Sequence, residues 1–399
     1  MEKVTYDYLV IGGGIAGVTA AEAIRTRVPD KKIAILSAEA QSLYSRVLLP
    51  AYLKNKIPRE RVFLRTAEDF TKKSIDFYPK AEAVRVDTER HAVEVKDGRV
   101  FGFERLLVAC GGTVRQWSHA ADTRRVYRLQ TMDDADILHR DMSVIRAPLV
   151  IGSSFIALEF IEIFLQNGIT PQVLVRDDRF FPAFLDTALG DVVASALKDR
   201  GVACVFGDEV REVISRDAGY EIISAHDRRM TADAIALGIG VRRNISFLEG
   251  SGIELGERGV KTNERFETNV AGIWAAGDVA EYFDPVSGDF RITGNWTHAV
   301  LEGTRAGLNM AGDSAPFTSV PAYAISCLGM HLALVGAISD EAITRADQAG
   351  GRFGRFFFQD GMLTGAFLIN RARDKPYFAD LIARRARLAT FEQDSIWKM

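Results

Sequence analysis

Cysteine is scarce in this 399-residue chain, which contains three: Cys110, Cys204 and Cys327. They lie far apart and form no CxxC or CxxxxC pair, so the sequence excludes a disulfide framework and a cysteine metal cluster. One histidine near Cys327, His331, does not make a metal site either. Each cysteine lies in an apolar segment, and free cysteine is among the most often buried residue types. We therefore expect three buried structural thiols and no metal.

The chain also lacks an excess of one charge and long apolar runs. Its formal net charge is −3 at pH 7, which gives no broad attraction to nucleic acid or to an acidic membrane. No apolar run approaches the roughly 18 to 20 residues of a membrane-spanning helix. The N-terminus leads directly into an apolar strand rather than a secretion signal. We expect a cytoplasmic protein with no membrane span and no nucleic-acid partner, either a monomer or a homodimer.

A glycine-rich turn near the N-terminus is the strongest positive signal. Residues 12–17 read GGGIAG, follow the apolar run 8–11 and open a helix-like segment. In a GxGxxG turn the first glycine permits a tight turn, the second lets the backbone approach a pyrophosphate, and the third lets helix and strand pack closely. Alone the motif is weak, because glycine-rich turns are common. The predicted dinucleotide-binding residues are Gly12, Gly14, Ile15, Ala16 and Gly17.

The next strand supports this interpretation of the turn. A second apolar run, 33–36, ends about twenty residues after the last glycine and is followed by Ser37 and Glu39. In dinucleotide-binding folds an acidic side chain at this distance accepts hydrogen bonds from a ribose hydroxyl. Glu39 is our candidate, and Ser37 is the nearer but weaker one.

A second, degraded turn of the same kind lies in the middle of the chain. Residues 152–157 read GSSFIA after the apolar run 148–151, and the small Ser154 and Ala157 replace the second and third glycines. An ordinary strand and helix is the alternative. The following strand ends at Arg176 and Asp177: a cation there suits the 2′-phosphate of NADPH, a carboxylate suits the free hydroxyl of NADH, and a solvated pair without a ligand also stays open. The predicted contacts are Gly152, Ser153, Ser154, Phe155, Ile156, Arg176 and Asp177.

A third signal lies far along the chain, where an apolar strand ends in Gly277 and Asp278. The glycine would admit a close ligand, and the carboxylate would accept hydrogen bonds from ribityl hydroxyls. By itself a Gly-Asp pair after a strand is only a turn. Two dinucleotide turns and this pair together suggest one resident flavin and one nicotinamide cofactor.

Over nearly its whole length the chain resembles the two-dinucleotide flavoprotein reductases, the pyridine nucleotide-disulfide oxidoreductase superfamily. Besides the first turn, segment 43–49 (LYSRVLL) is similar to the family's Tyr-Arg element beside FAD, 106–112 (LLVACGG) to its ATG turn, and 232–244 to the loop leaving the nicotinamide domain. Cys110 and Arg243 depart from the family's usual Thr and Pro. The resemblance implies that FAD and NAD(P)H are bound. It adds Arg46, Ala109, Cys110, Gly111, Gly238, Gly240 and Trp296 to the cofactor-binding residues.

The resemblance also implies the fold and domain organisation of a chain too long for one core. We expect an α/β protein with two Rossmann-like dinucleotide-binding domains, glutathione-reductase-like, and a small C-terminal α+β domain. The FAD domain would comprise 1–113 and 247–315, with 114–246 inserted as the NAD(P)H domain. Residues 316–399 would form the C-terminal domain, with strands near 355–359 and 363–369 and a final helix over 376–388.

The missing thiols narrow the implied function. The superfamily's disulfide reductases need two redox cysteines, and related peroxidases and oxidases use one at the place where this chain has residues 41–44 (QSLY). The chain looks most like NADH:rubredoxin reductases and the flavin module of nitrite reductases. Oxygenase-type ferredoxin reductases are close relatives, but many carry a flavin-side lysine where this chain has Pro50 and Ala51.

We therefore expect an FAD-dependent oxidoreductase in which NAD(P)H gives a hydride to flavin N5, and electrons then pass to rubredoxin or another small iron–sulfur protein. Glu159 resembles the family glutamate that orients the nicotinamide, although a dipole-favoured carboxylate near a helix start is the alternative. His298, near the flavin, would donate to the ring or gate access, unless its role is structural. An NAD(P)H oxidase and a flavin-bearing interaction subunit like apoptosis-inducing factor are rivals, as is a subunit of a larger complex.

A basic run near the C-terminus has two interpretations. It would be a docking face for an acidic electron-transfer partner, or simply a solvated face, which is the more frequent explanation of such runs. Asp374 and Asp380 interrupt it. Its members are Arg371, Arg373, Lys375, Arg384, Arg385 and Arg387.

Overall fold

The computed structural model describes residues 4–119, 124–243 and 245–387. The helices are α1 Ile15–Arg27, α2 Leu49–Leu53, α3 Ala67–Lys72, α4 Met132–Asp141, α5 Phe155–Gln166, α6 Thr187–Lys198, α7 Trp296–Met310 and α8 Lys375–Ala383. The strands are β1 Val4–Ile11, β2 Ile33–Leu36, β3 Ile75–Tyr78, β4 Ala83–Asp87, β5 Ala92–Val95, β6 Val100–Val108, β7 Gly112–Val114, β8 Val126–Tyr127, β9 Pro148–Ile151, β10 Gln172–Val175, β11 Ala203–Phe206, β12 Val210–Arg216, β13 Gly219–Ser224, β14 Arg229–Ala232, β15 Ala234–Leu237, β16 Val241–Arg243, β17 Val260–Thr262, β18 Ile273–Ala275, β19 Ala280–Asp284, β20 Asp289–Arg291, β21 Ala322–Cys327, β22 Met330–Gly336, β23 Glu341–Asp347, β24 Arg352–Gln359 and β25 Met362–Ile369.

The chain divides into two compact units. The first takes in the described residues of Met1–Leu48, Pro58–Thr113 and Arg242–Ser319. The second takes in those of Leu49–Ile57, Val114–Val241 and Val320–Met399. Within the described residues, no helix combines the length and apolarity needed to cross a membrane.

The first unit is built on a seven-stranded sheet in which β1 lies between β2 and β6. The pairs β1–β2, β1–β6, β2–β3 and β6–β18 are parallel, whereas β4, β5 and β6 pair antiparallel. Both faces of a parallel sheet are normally covered, which explains the continuous apolar run at the end of β1. Since β1 has its sequence neighbour on one side and β6 on the other, its carboxyl end opens at a switch point of the sheet, where ligands bind in such folds.

Helices α1 and α7 pack against each other in this unit without intervening side chains. A Cβ added at Gly303 would overlap the carbonyl oxygen of Ala16, and one added at Gly307 would overlap that of Ala20. Small residues on both helices therefore allow their backbones to come into contact. This packing fixes the start of α1 relative to α7.

The second unit contains a parallel sheet in the order β11-β10-β9-β15-β8, so that β9 is flanked as β1 is in the first unit. It also contains the antiparallel sheets β12-β13-β14 and β21-β22-β25-β24-β23. Helix α8 packs on β22 and β25, where Phe378 and Ile382 are buried in the core cluster.

The final helix is shorter than the sequence predicted. It ends at Ala383 rather than continuing to 388, and Leu388 lies outside the described residues. Arg385 adopts a left-handed φ of 54°, and the amide of Ala386 donates to the carbonyl of Leu381. This is a Schellman-type ending, and the helix prediction missed it because the left-handed residue is an arginine rather than the usual glycine.

The α1–α7 packing predicts a steric penalty at Gly303. Gly303→Ala should gain helix propensity of about 1 kcal/mol, yet the overlap with the Ala16 carbonyl forces the helices apart, and overpacking typically costs about 1–3 kcal/mol. We expect a net loss in the free energy of unfolding by urea. Leu301→Ala, a 44% exposed position on the same helix, is the control. Equal stability of the two variants would contradict this packing argument.

Candidate dinucleotide sites

The start of α1 forms an open anion-binding end. Gly14 is its N-cap and provides no side-chain cap, so first-turn N–H groups stay available to a ligand at the positive end of the helix dipole. Gly12 has a φ of +124°, and a Cβ there would overlap the Ala109 carbonyl. A Cβ at Gly14 would meet nothing within 4 Å. The turn therefore fits a pyrophosphate held by backbone groups.

Glu39 lies in a pocket beside this turn and is held by two neighbours. The hydroxyl of Tyr44 donates to its Oε2 at 2.5 Å, and the Arg46 guanidinium pairs with its Oε1 at 2.5 Å. Ser37 lies against the turn, because a Cβ at Gly13 would come within 2.7 Å of its side chain. The pocket is lined by Gly13, Gly14, Ser37, Glu39, Gln41, Ser42, Leu43, Tyr44, Arg46 and Trp296.

The pair Gly277 and Asp278 lies in the same unit and contacts the same helix. Gly277 has a φ of +76°, and a Cβ there would lie 2.8 Å from that of Ala16 in α1. Arg243 Nε donates to the backbone carbonyl of Asp278 at 2.8 Å. Burial raises the pKa of the Asp278 carboxyl, while Arg243 and Arg46 oppose the shift. The structure thus brings the first and third sequence signals together.

The turn after β6 lies beside the end of β1. The amide of Ala109 donates to Ile11 at the end of β1, and Cys110 and Gly111 follow. Burial raises the pKa of the Cys110 thiol to about 12. Cys110 is thus a neutral thiol and a poor nucleophile at physiological pH.

The expectation of three buried structural thiols holds for one of them. Cys327 is 1% exposed, whereas Cys110 and Cys204 are partly exposed. Cys204 lies on β11 at the end of the order in its sheet, where one side is less covered. All three are free, and burial raises the pKa of Cys204 to about 11.

Two predicted residues on the first turn of α7 lie in different environments. Trp296 lines the pocket with Gly14. His298 points into the interior, is 2% exposed, and its Nε2 lies 3.2 Å from the Tyr282 hydroxyl. Burial, with Arg291 nearby, lowers the pKa of His298 to about 4. The ring is therefore neutral near pH 7, and its catalytic role stays a prediction.

The second glycine-rich turn, at Gly152, has the same backbone form as the first, but the helix that follows it has Ser154 as its N-cap. Gly152 has a φ of +123°, and a Cβ there would overlap the Gly238 carbonyl. Ser154 Oγ donates to that carbonyl at 2.7 Å and accepts from the amide of Ala157 in α5. Phe155 and the 40% exposed Ile156 begin α5, and Gly240 lies just beyond Gly238. Backbone groups again meet at a helix start, as a nicotinamide dinucleotide requires.

Asp177 and Arg176 differ in how they are held. Ser153, inside the second turn, donates its hydroxyl to Asp177 Oδ2 at 3.1 Å. Arg176 is 74% exposed and lies 3.8 Å from Asp177. The carboxylate is thus oriented by the turn, whereas the guanidinium extends into solvent.

Glu159 is part of a buried ion cluster within the second unit. Lys54, whose side chain is 6% exposed, donates to Glu159 Oε2 at 2.8 Å and also pairs with Glu162. Glu162 in turn accepts from the amide of Leu328. Burial raises the pKa of Glu159 while Lys54 opposes the shift; for Lys54, burial opposes the charge but the two carboxylates outweigh it and raise its pKa.

Two residues that hold predicted site residues in place were not predicted from the sequence. Lys54 pairs with Glu159, and Glu302 accepts from the amide of Gly277. Lys54 comes directly after the apolar helix α2, and a cation at this junction was the available signal. Glu302 was overlooked although it is the one carboxylate on α7. Among the described residues, no group of three or more His, Cys, Asp or Glu is placed to hold a metal ion.

Comparison with known proteins gives matches over nearly the whole chain. A family model for pyridine nucleotide-disulphide oxidoreductases matches residues 6–303. The epsilon subunit of the NADH-dependent phenylglyoxylate dehydrogenase of Aromatoleum evansii is 27% identical over 390 residues, 96% of this chain and 92% of that protein. The ferredoxin–NAD(+) reductase component of the anthranilate 1,2-dioxygenase system of Burkholderia cepacia is 26% identical over 385 residues, 95% of this chain and 94% of its own.

A solved structure agrees with the fold. The covalent putidaredoxin reductase–putidaredoxin complex contains a chain that matches with a TM-score of 0.91 at 20% identity, covering 99% of this chain and 97% of that one. The predicted fold class, α/β with two Rossmann-like dinucleotide-binding domains, is confirmed.

The ion cluster predicts a pH-dependent cost when Lys54 is removed. Lys54→Met leaves buried carboxylates unpaired, which typically costs about 3–5 kcal/mol in the free energy of unfolding. The loss should be smaller at pH 5 than at pH 8, because protonation neutralises the abandoned carboxylates. Urea unfolding at both pH values measures it, with Lys198→Met, an exposed lysine of the same unit, as the control. A loss equal at both pH values would contradict the assignment.

Proposed function

Because the chain belongs to the pyridine nucleotide-disulphide oxidoreductase family and is an FAD- and NAD(P)H-dependent oxidoreductase, we propose that it transfers electrons from NADH through FAD to a small iron–sulfur protein. The thiol chemistry carries this proposal. The first unit contains a single cysteine, Cys110, so it cannot form an internal redox disulfide. The raised pKa of that thiol also argues against a role as a nucleophile. Electrons that reach the flavin therefore need an external acceptor.

The names of relatives support an iron–sulfur acceptor. One is the ferredoxin–NAD(+) reductase component of a dioxygenase system, and a structural neighbour was solved with putidaredoxin. FAD supplies the needed chemistry when bound, since it accepts a hydride from a nicotinamide and releases electrons singly. A ferredoxin or a rubredoxin has the acceptor chemistry that we propose.

In the first unit, the chain's own residues would bind and orient the flavin. The start of α1 would hold the diphosphate through backbone N–H groups. Glu39, already oriented by Tyr44 and Arg46, keeps acceptor capacity for ribose hydroxyls, since each carboxylate oxygen has more than one lone pair. Asp278 would accept from the ribityl chain.

In the second unit, the turn at Gly152 would hold the nicotinamide dinucleotide. Glu159 would orient its ring, with Lys54 favouring the charged carboxylate. We assign 1–113 and 247–315 to the FAD domain, 114–246 to the NAD(P)H domain and 316–399 to the C-terminal domain.

Asp177 favours NADH over NADPH. Ser153 directs the Asp177 carboxylate toward the turn, where it would accept from a 2′-hydroxyl and repel a 2′-phosphate. Arg176, directed into solvent, would contribute little to either.

The acceptor would dock on the basic run of the second unit. Arg371 is 9% exposed and paired with Asp374 at 2.5 Å, and Arg384 pairs with Asp380. Arg373 and Arg385 are exposed, which leaves them accessible to an acidic partner. Such rim charges mainly set association rates.

A second candidate follows from the name of one relative. The Aromatoleum protein is a subunit of an NADH-dependent dehydrogenase and matches 96% of this chain. The chain would then be the flavin subunit of a larger enzyme and exchange electrons with an iron–sulfur partner subunit. Co-expression with the products of neighbouring genes, followed by size-exclusion chromatography, tests for such a complex.

Coenzyme preference is the first prediction from these assignments. We expect the wild type to have a higher kcat/KM for NADH than for NADPH, and Asp177→Ser to reduce that ratio at least tenfold, about 1.4 kcal/mol. Asp178→Ser is the matched control, since that carboxylate is 70% exposed and paired with Arg179. Arg176→Glu should leave NADH kinetics unchanged. A preference for NADPH that Arg176→Glu abolishes would reverse the assignment.

Acceptor use is the second prediction. In anaerobic stopped-flow, NADH should bleach the flavin rapidly, and a ferredoxin or rubredoxin should reoxidise it faster than air does. Exchange of Arg373 and Arg385 for Glu should raise the KM for the iron–sulfur protein at least several-fold at low salt, while the rate of flavin reduction by NADH stays unchanged.

The rivals give different results in that experiment. Fast reoxidation by oxygen alone would identify an oxidase. Slow bleaching by both NADH and NADPH would favour a flavin-bearing interaction subunit and contradict the reductase function.

A further inference from the structure

A fully buried carboxylate lies directly behind the Gly277–Asp278 turn. Glu302, on the second turn of α7, is 0% exposed. Its Oε2 accepts from the backbone N–H of Gly277 at 2.7 Å, and its Oε1 accepts from the hydroxyl of Thr293 at 2.7 Å. One side chain thus connects α7, the turn after β18 and the segment after β20, all in the first unit.

The hydrogen bond to Gly277 has a specific consequence. Gly277 begins the turn that presents Asp278, and its left-handed φ and the nearby Ala16 Cβ leave no room for a side chain. The turn is therefore held through its backbone: Glu302 anchors the amide of Gly277, and Arg243 anchors the carbonyl of Asp278.

Among the residues that the structure describes, the titratable and charged groups around Glu302 give it no cation. His298, on the same helix, has its Nε2 3.6 Å from Glu302 Oε1 and is held by Tyr282 of β19. Asp278 acts on Glu302 with the same sign of charge. Arg291 of β20 is committed to Asp284 and Ser287.

A carboxylate in this position is most stable as a neutral acid. Taking an ionised carboxyl out of water without a paired cation is costly, and the group protonates instead. Burial accordingly raises the pKa of Glu302 to about 8, although the bonds from Thr293 and Gly277 oppose the shift. The pKa of His298 is lowered to about 4, mainly by burial, so its ring is neutral and provides no positive charge to Glu302.

We propose that Glu302 is a positioning residue of the FAD site, which holds the Gly277–Asp278 turn as a neutral acid, and that its ionisation weakens FAD binding. Bound FAD would cover the turn further and make a charge behind it more costly. FAD would therefore bind more tightly to the protonated form, and linkage requires binding to weaken as the proton leaves. The inference concerns FAD retention and does not depend on the identity of the acceptor.

The sign of the pH dependence follows from the raised pKa. The folded protein keeps a proton on Glu302 between its ordinary value of 4.5 and about 8, whereas the unfolded chain has lost it. The contribution of Glu302 to stability thus falls as pH rises through that window and is constant above it. FAD affinity falls above about pH 8, because Glu302 of the FAD-free protein has lost its proton there.

The experiment measures the FAD dissociation constant between pH 6 and 9.5, from the fluorescence of the flavin released at equilibrium when the holoprotein is serially diluted. We expect the wild-type dissociation constant to rise above pH 8 by up to about tenfold per pH unit. Glu302→Gln keeps an acceptor for Gly277 and a partner for Thr293 but cannot ionise, so it should match the wild type within about twofold at pH 6 and show no rise. Glu302→Ala should raise the FAD dissociation constant at least tenfold at pH 6.

Two further variants complete the test. Glu254→Gln changes a half-exposed carboxylate of the same unit, paired with Lys261, and should reproduce the wild-type curve. Thr293→Val removes a hydrogen bond that favours the ionised form, so the rise should begin at a higher pH. It also provides the test if Glu302→Ala does not fold. A rise that persists in Glu302→Gln, or a Thr293→Val curve that starts at the wild-type pH, would overturn the proposal.

Discussion

The first unit depends on close contact between backbones where a Cβ would not fit. Strand β1, helix α1 and helix α7 meet at Gly12, Gly17 and Gly303, and a side chain at any of these positions would overlap a carbonyl oxygen. This contact brings the first turn of α1 close to the Gly277–Asp278 turn, although 260 residues separate them in sequence. Protein interiors are close-packed, so such an arrangement transmits small displacements instead of absorbing them. The dinucleotide site is thus a consequence of how the two helices pack.

The sequence predicted the parts of the site that depend on local sterics. The turns at Gly12 and Gly152, the strands before them and the acidic residue after each next strand follow from short-range requirements of backbone geometry, and a single sequence displays them directly. Lys54 and Glu302 could not be predicted in that way. Their roles depend on partners from distant parts of the chain: Glu159 and Glu162 for Lys54, and the amide of Gly277 for Glu302. The Schellman-type ending of α8, with Arg385 in the left-handed conformation, was missed for a related reason. Tertiary contacts there override the preference for glycine in a left-handed position.

The two dinucleotide turns differ in a way that agrees with different ligand lifetimes. In α1 the N-cap is Gly14, which leaves the first N–H groups free for a ligand. In α5 the N-cap is Ser154, whose hydroxyl already accepts from the amide of Ala157. A capped helix start offers fewer unsatisfied donors to a phosphate. We infer that the first turn suits a resident flavin and the second a nicotinamide that must leave after each turnover.

Charge is distributed in the first unit so that few groups titrate near neutral pH. The Cys110 thiol and the His298 ring are both kept uncharged by burial, whereas Asp278 has Arg46 and Arg243 to oppose the effect of its burial. Glu302 has no such cation among the described residues, and burial raises its pKa to about 8. We infer that a flavin bound in this unit would gain from the arrangement, because fixed charges near it would keep its tendency to accept electrons constant as pH varies. Glu302 would end that constancy, since its proton is lost as the pH rises through about 8.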